Sequence, residues 1–431
     1  MNILLFLIII LAFIVGIGIL NERVFHIQSD IALIMFSVII SLILVVISRF
    51  FTIEPLEKFI RNIGEFGFEE YLMDGVLCFM LFAGASKVNM SKFRQNVRPI
   101  MLLALLSTAI SSFLYGGLFY LIALLFRIPM DIWTCILLGC VVSPTDPIAA
   151  TGILNKIGLS KNVCSVIENE SLFNDGTGVT LFIFVKTLIA PVGKSNFVEL
   201  MLKEILGAVA VALIVSFLLF QLIKLTRDPI RYILISLLDV SCVYLICEHL
   251  GFSGVIASVV CGMFFSYQMN RIDRRAKVID PKDYYRDFWE ILESILNAVL
   301  FIMIGLLALD IEISRYVFIV VPAAIIILIM SRAVGVFVSS VLTGRSIPGK
   351  YSMKEFVILM TWSALKGGLS LALALQTGEF LAPDIYNLFI NVTYVTIFFT
   401  VLVQGLTVKK VYFRLEEHKA ARIAMQKRGE I

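Results

Sequence analysis

Residues 168–175 form a polar stripe inside a stretch of the chain that is otherwise apolar. The stripe consists of Glu168, Asn169, Glu170, Ser171, Leu172, Phe173, Asn174 and Asp175. Residues four apart share a helix face, so Ser171 and Asp175 would present a hydroxyl beside a carboxylate. Glu170 and Asn174 would present a carboxylate and an amide on the neighbouring face. Hard cations such as Na⁺ and Li⁺ prefer carboxylate, hydroxyl and carbonyl oxygens, so the stripe is a candidate cation site.

The carboxylate of Asp175 falls in the middle of an apolar run, where a bare negative charge is costly. We therefore expect it to hold either a proton or a metal ion. An aspartate in this position could therefore exchange a bound proton for a bound metal ion. An ordinary hydrogen bond in helix packing is the alternative interpretation of Asp175.

Two other segments place polar, proline or glycine residues within apolar runs. They are Ser143-Pro144-Thr145-Asp146-Pro147 and Lys366-Gly367-Gly368. Proline removes helix hydrogen bonds, which frees backbone carbonyl groups near Thr145 as further oxygen ligands. Interrupted helix ends carry partial charges, and we expect Asp146 to offset the positive ends and Lys366 the negative ends. A local turn or cap is the alternative role for Asp146.

Four basic residues lie within the apolar runs, namely Lys186, Lys203, Arg332 and Lys366. The first two lie close enough to a run end to reach the membrane surface. The other two are deeper, and a deeply placed charge needs a partner or a cavity. We expect Glu170 and Arg332 to form a lasting ion pair, with Asn174 linking that pair to the ion-binding face.

The composition shows what kind of chain must position these groups. It has 431 residues, of which 59% are hydrophobic and only 16% charged. A soluble protein of this length needs more polar surface, so lipid must be the solvent for most of the chain. The net charge of +4 gives no indication of nucleic-acid binding. The cysteines and histidines lack metal-ligand spacing, so we expect neither disulfides nor a cofactor.

Apolar runs of roughly 17–25 residues can cross a bilayer as helices. The approximate candidate spans are 2–20, 31–48, 71–86, 99–126, 131–153, 163–189, 198–223, 230–249, 252–268, 288–309, 316–342, 354–376 and 384–407. The first run lacks a basic segment before it and a small-residue cleavage site after it. We therefore expect it to be a retained span and not a signal peptide.

The distribution of lysine and arginine predicts the orientation of these thirteen spans. The segment after the last span is rich in basic residues, which is typical of the cytoplasmic side. Counting back from it, the loops on that side carry most of the loop lysines and arginines. We expect the C-terminus to be cytoplasmic and, because thirteen is odd, the N-terminus to be extracytoplasmic.

Spans 1–6 and 8–13 then run in opposite directions and can form inverted repeats joined by span 7. Both interrupted segments fall in the fifth span of a repeat. Transporters of that plan bind substrate near the bilayer midplane, where matching helices are interrupted. The predicted fold is thus an all-α polytopic membrane protein with two inverted-topology repeats. It would contain two unwound, crossing helices, around Asp146 and Gly367.

The segments at 143–147 and 170–176 together resemble the motifs of the NhaP-type bacterial sodium/proton antiporters, relatives of the animal sodium/proton exchangers. The first resembles the unwound-helix motif and the second the Asn-Asp ion-site motif of that family. Further matches are Ser253-Gly254-Val255, Asn297 with Phe301 and Gly305, Arg332, Leu365-Lys366-Gly367 and Gln404-Gly405-Leu406-Thr407. The resemblance covers nearly all of the membrane-spanning part.

The resemblance implies a homodimer in the cell membrane that exchanges a monovalent cation for a proton by alternating access. The ion-binding residues would be Asp175, Ser171, Thr145 (through its carbonyl) and Asp146. The supporting network would contain Asn174, Glu170, Arg332 and Lys366. The Asn-Asp pair implies electroneutral exchange of one cation for one proton.

The same resemblance divides each protomer into an interface domain and a moving core. The interface helices would be 1–98 and 230–314, and the core helices 99–195 and 315–408. Residues 196–229 would form a connecting helix and 409–431 a short basic cytoplasmic tail. Two positions depart from the pattern: Ala83 stands where many relatives have an acidic residue, and Lys366 stands where an arginine is usual.

Three other interpretations of the sequence compete with the exchange of Na⁺ or Li⁺. An intramembrane aspartyl protease needs a Gly-x-Gly-Asp signature, which neither Asp146 nor Asp175 has. A channel would need a filter loop or repeated pore helix, and no segment resembles one. Exchange of K⁺ or another monovalent cation for protons is the alternative that stays open.

Overall fold

The computed structural model describes residues 3–50, 67, 70–146, 154, 158–189, 197–271, 281–307, 317–344 and 347–428. These residues are almost entirely helical, and the β-type pairing among them is a single bridge between Asp146 and Leu365. The predicted all-α class is therefore confirmed.

Sixteen α-helices follow one another in the described part of the chain. They are α1 (Ile3–Leu20), α2 (Ser29–Phe50), α3 (Leu77–Ser86), α4 (Met90–Met101), α5 (Thr108–Leu125), α6 (Ile132–Val142), α7 (Lys161–Ile189), α8 (Phe197–Lys224), α9 (Pro229–Leu250), α10 (Gly254–Met269), α11 (Pro281–Leu307), α12 (Val317–Thr343), α13 (Met353–Trp362), α14 (Gly368–Gln376), α15 (Pro383–Phe398) and α16 (Leu406–Arg428). Short π-helical turns at Asn21–Phe25, Tyr71–Val76, Leu102–Ser107 and Phe399–Gly405 extend their neighbours.

Eight helical segments of the described residues are long and apolar enough to cross a membrane. Four further apolar helices of 10–17 residues are shorter. The protein is thus a multi-pass membrane protein, as its composition indicates. The count of thirteen spans and their arrangement as inverted repeats stay predictions.

The helical backbone is interrupted near both predicted breaks. Helix α6 begins after Asp131, whose carboxylate accepts hydrogen bonds from Thr134 N and Trp133 N, and it ends at Val142. Residues 143–145 are not helical, in keeping with the missing donor of Pro144. On the other side, α13 ends at Trp362 and α14 begins at Gly368.

The two interruptions contact each other. The backbone N–H of Asp146 donates to the carbonyl oxygen of Leu365 over 2.8 Å. This bond satisfies polar backbone groups that the helix breaks leave without partners, which matters most where no water is present. The rest of predicted span 5, from 147 to 153, lies outside the described residues, so the crossing of two full unwound helices stays a prediction.

Glycine allows close contact between helices α5 and α6. A Cβ atom added to Gly116 of α5 would lie 2.3 Å from the Cα atom of Ile136 in α6. One added to Gly139 of α6 would lie 2.1 Å from the carbonyl oxygen of Ser112. Small residues at membrane helix interfaces let the backbones approach in this way.

We expect Gly116→Ala to lower the stability of the purified protein, because its new methyl group would collide with backbone atoms. Overpacking of this kind costs about 1–3 kcal/mol. The neighbouring Gly117 has no atom within 4 Å of such a methyl group, so Gly117→Ala should be neutral or slightly stabilising through helix propensity. Thermal unfolding in detergent measures both, and equal unfolding temperatures for the two variants would contradict the packing described here.

The predicted basic tail is mostly a helix. Helix α16 continues the last span to Arg428, and Tyr412 and Leu415 are buried in a cluster with residues of α7 and α13. The guanidinium of Arg422 donates to the carboxylate of Glu355 over 3.1 Å. Helix α16 therefore packs against the start of α7, which carries the polar stripe, and against α13, which precedes the second interruption.

Candidate ion site

The polar stripe lies on α7, and most of it is buried. Asn169, Glu170, Ser171 and Asn174 are all buried, whereas Glu168 at the edge of the stripe is exposed. An uninterrupted helix of 29 residues holds these side chains in register. The i, i+4 spacing therefore places Ser171 near Asp175 and Glu170 near Asn174, as the sequence predicts.

Thr145 of the non-helical segment is bonded to the stripe. Its hydroxyl lies 2.9 Å from the hydroxyl of Ser171 and accepts a hydrogen bond of 2.6 Å from the side-chain amide of Asn174. The Thr145 N–H donates in turn to the Asn174 Oδ1 atom over 3.1 Å. These three bonds fasten the break after α6 against α7 at the level of the candidate ligands.

Glu170 and Arg332 form a direct ion pair. The Arg332 Nη2 atom lies 3.0 Å from Glu170 Oε1, and the side chains are only 5% and 2% exposed. The amide of Asn174 also donates to Glu170 Oε1, over 3.0 Å. Asn174 thus links the ion pair to Thr145, in the bridging position that the sequence predicts.

Lys366 and Asp146 lie at opposite ends of interrupted helices. The Lys366 ammonium donates to the carbonyl oxygen of Ser143 over 2.8 Å, at the C-terminal end of α6. Asp146 lies against Gly367, the residue before α14, since a Cβ atom there would be 2.8 Å from Asp146 Oδ2. A cation at a helix C-terminus and an anion at an N-terminus both oppose the helix dipole. Gly367 also leaves no room for a side chain between α14 and this carboxylate.

A cavity of about 730 Å³ leads to the site, and Asp175, Thr145 and Asp146 line it. Asp175 is partly exposed, so its carboxylate is accessible to a small ion. Lys87, Lys92 and Lys161, which also line the cavity, belong to loops predicted to be cytoplasmic. Ser171 is buried and contacts these candidate ligands through the hydroxyl of Thr145.

Other helices contribute to the cavity as well. The lining includes Asn297 and Glu293 of α11 and Ser370 of α14, together with Asn169 of α7. The sequence does not predict that these side chains share one cavity, because they are far apart along the chain. Asn297 is the one of these residues that the sequence could have indicated as functional, because it is a single amide in a largely apolar run.

Ala83 does not belong to this lining. It is fully buried in a second hydrophobic cluster with Phe265 and Trp289, whereas Met80, Leu81 and Gly84 of the same helix line the cavity. The departure from the family pattern at Ala83 is therefore accommodated by packing on the other face of α3.

Apolar membrane helices, interruptions that touch one another and a carboxylate accessible through a cavity define a multi-pass helical transporter. The chain belongs to the sodium/hydrogen exchanger family, since the family model described as "Sodium/hydrogen exchanger, transmembrane" matches residues 9–414. The predicted resemblance is confirmed. Membership in a transporter family also confirms that the protein is not an enzyme.

Individual relatives agree with this assignment. The chain is 31% identical over 368 residues to the Na⁺/H⁺ antiporter NhaP of Pseudomonas aeruginosa, and the aligned part covers 84% of each chain. It is 32% identical to the Na⁺/H⁺ antiporter NhaH of Halobacillus aidingensis, over 74% of this chain and 76% of that one. The sodium proton antiporter MjNhaP1 of Methanocaldococcus jannaschii has the same fold, with a TM-score of 0.76 at 18% identity over 96% of this chain and 99% of its own.

Proposed function

We propose that this protein is a secondary active antiporter that exchanges Na⁺ or Li⁺ for H⁺ by alternating access. The observation that carries the proposal is the carboxylate of Asp175, partly exposed in a cavity and set beside a helix break. Its ligand group would be completed by Ser171, Thr145 and Asp146. The names of the relatives, which are Na⁺/H⁺ antiporters, support the choice of ions.

Competition for one carboxylate explains why cation and proton move in opposite directions. An empty Asp175 is negatively charged, and moving an unpaired charge through the membrane is costly. A bound monovalent cation or a bound proton each neutralises it. Both loaded forms of the core can therefore change sides while the empty form cannot. One cation is exchanged for one proton, and the cycle is electroneutral.

The supporting residues hold the ligand group together during this movement. Glu170 and Arg332 neutralise each other beside the site, and Asn174 connects them to Thr145. Lys366 and Asp146 stabilise the interrupted helix ends. The roles of these five residues are proposals, as is the division into interface helices and core helices.

The assembly and location follow from the same proposal. The protein would act as a homodimer in the cell membrane, surrounded by lipid, with the C-terminus cytoplasmic and the N-terminus extracytoplasmic. The cavity would then open towards the cytoplasm, because its lysine-bearing end belongs to the predicted cytoplasmic loops.

Proton flux in proteoliposomes tests the proposed function. Vesicles with a preset pH gradient receive Na⁺, Li⁺, K⁺ or choline chloride, and a fluorescent dye reports the gradient. We expect Na⁺ and Li⁺ to dissipate the gradient and choline to have no effect. A response to K⁺ alone would favour the alternative K⁺/H⁺ exchange, and no response to any of the three metal ions would contradict antiport.

A further inference from the structure

Three buried oxygen atoms in the lining of the cavity have no hydrogen-bond partner among the described residues. They are Asn169 Oδ1 on α7, Asn297 Oδ1 on α11 and Ser370 Oγ on α14. The three residues are 2%, 2% and 1% exposed. All belong to the cavity that Asp175 lines, and none is needed for the ion pair or for the bonds around Thr145.

The orientation of Asn169 is fixed by its own helix. Its side-chain amide donates to the hydroxyl of Ser165 over 3.1 Å and to the backbone carbonyl of Ser165. Its oxygen Oδ1 is therefore the atom that is left without a partner. Leaving a buried hydrogen-bond acceptor without a donor costs about 1–3 kcal/mol of stability. Each of these oxygens can regain that energy from a cation or from the water molecules around one.

The helices that carry the three oxygens pack closely around the cavity. A Cβ atom on Gly84 of α3 would touch Leu172 of α7 at 3.5 Å and lie 3.8 Å from the carboxylate oxygen of Glu293 on α11. A Cβ atom on Gly368 of α14 would lie 2.4 Å from Leu300 of α11. Asn297 lies about one helical turn from both Glu293 and Leu300. Its position on α11 is therefore fixed by the contact of Glu293 with α3 on one side and that of Leu300 with α14 on the other.

We propose that Asn297, Ser370 and Asn169 form a cation-binding antechamber in the cavity. They receive the Na⁺ ion while it is still partly hydrated and pass it to Asp175. This inference deepens the proposed antiport and rests on it. Neutral oxygens suit the task, because an oxygen that replaces a water ligand assists dehydration without holding the ion as tightly as a carboxylate does.

Asn297 has a particular place in this arrangement. It lies on a helix of the predicted interface domain, whereas Asn169 and Ser370 lie on helices of the predicted core. A cation held by all three contacts both domains while the cavity is open. The antechamber acts on the entry and binding of the cation and not on the protonation of Asp175.

The test is the dependence of exchange rate on Na⁺ concentration for Asn297→Leu and Ser370→Ala in proteoliposomes. Leucine keeps the branched heavy-atom skeleton of asparagine and removes its oxygen. Loss of one ligand should raise the Na⁺ concentration for half-maximal exchange about tenfold, equivalent to about 1.4 kcal/mol, and leave the maximal rate within about twofold. Asn297→Ser, which keeps an oxygen, should recover part of the loss.

Ser294→Ala is the matched control. Ser294 lies on the same helix and lines the same cavity, but it is exposed and its hydroxyl already donates to the carbonyl of Glu290 over 2.9 Å. Its removal should leave the Na⁺ dependence unchanged. Unchanged half-maximal concentrations for both Asn297→Leu and Ser370→Ala, in an exchanger that is active as wild type, would overturn the antechamber alone. A wild-type protein without cation-driven proton flux would overturn the antiport as well.

If Asn297→Leu does not fold, Asn297→Ser and Ser370→Ala test the proposal in its place. The antechamber predicts that each of them raises the half-maximal Na⁺ concentration and that their combination raises it further. A fall in the maximal rate at an unchanged half-maximal concentration would show a role in movement of the core and would overturn the proposal.

Discussion

Asp175→Asn should abolish cation-driven proton flux and leave the fold intact. The amide has the same shape as the carboxylate, so the packing of α7 is kept. It carries no negative charge to bind Na⁺ and cannot take up a proton at the pH of the assay. Both loaded forms of the site are lost together, and flux in proteoliposomes should fall to the level of protein-free vesicles.

A matched control separates this effect from the general loss of a buried carboxylate. Asp239 on α9 is fully buried and accepts a hydrogen bond from the Cys261 thiol over 3.1 Å, within the second hydrophobic cluster. Asp239→Asn should keep cation-driven flux. Exchange that survives in Asp175→Asn, or that disappears equally in both variants, would contradict the assignment of the site to Asp175.

Breaking the ion pair of Glu170 and Arg332 is the second large effect that we expect. Removing one partner leaves the other as a buried charge without compensation, which costs about 3–5 kcal/mol. Either alanine variant should therefore give a lower folded yield and a lower unfolding temperature. The exposed pair of Lys186 and Glu379 has the same N–O distance of 3.0 Å, but its side chains are 34% and 66% exposed. Alanine at Lys186 should cost only about 0–1 kcal/mol.

Exchanging the two charges tests whether the pair is direct. The double variant Glu170→Arg, Arg332→Glu should recover part of the folded yield. Recovery will be incomplete, because Asn174 donates to the Glu170 carboxylate and would meet an arginine there. A double variant no more stable than either alanine variant, measured by size-exclusion yield and thermal unfolding, would count against direct pairing.

Local chemistry made the centre of the site predictable. The i, i+4 spacing decides which stripe residues share a face, and it needs no knowledge of other helices. Proline at 144 removes a helix hydrogen bond and glycine at 367 and 368 weakens the helix locally, and neither effect depends on the neighbouring helices. The pairing of Glu170 with Arg332 also follows from simple reasoning, since deeply placed charges need partners.

Contacts between distant helices were not predictable in the same way. Asn297 and Ser370 line the cavity because α11 and α14 pack around Leu300, and no short-range pattern encodes that contact. The orientation of Ala83 into the second cluster depends on how α3 is rotated. The tail was predicted from its charge, whereas its helical form depends on Tyr412 and Leu415, which are buried against α7 and α13.

Proton release on Na⁺ binding tests the central claim most directly. Purified protein in weakly buffered detergent solution receives saturating NaCl, and a pH indicator follows the free proton concentration. If cation and proton compete for Asp175, wild type that starts protonated at this residue should release about one proton per protomer. Asp175→Asn should release none. Wild type that binds Na⁺ without releasing protons, or equal release by the asparagine variant, would contradict the account.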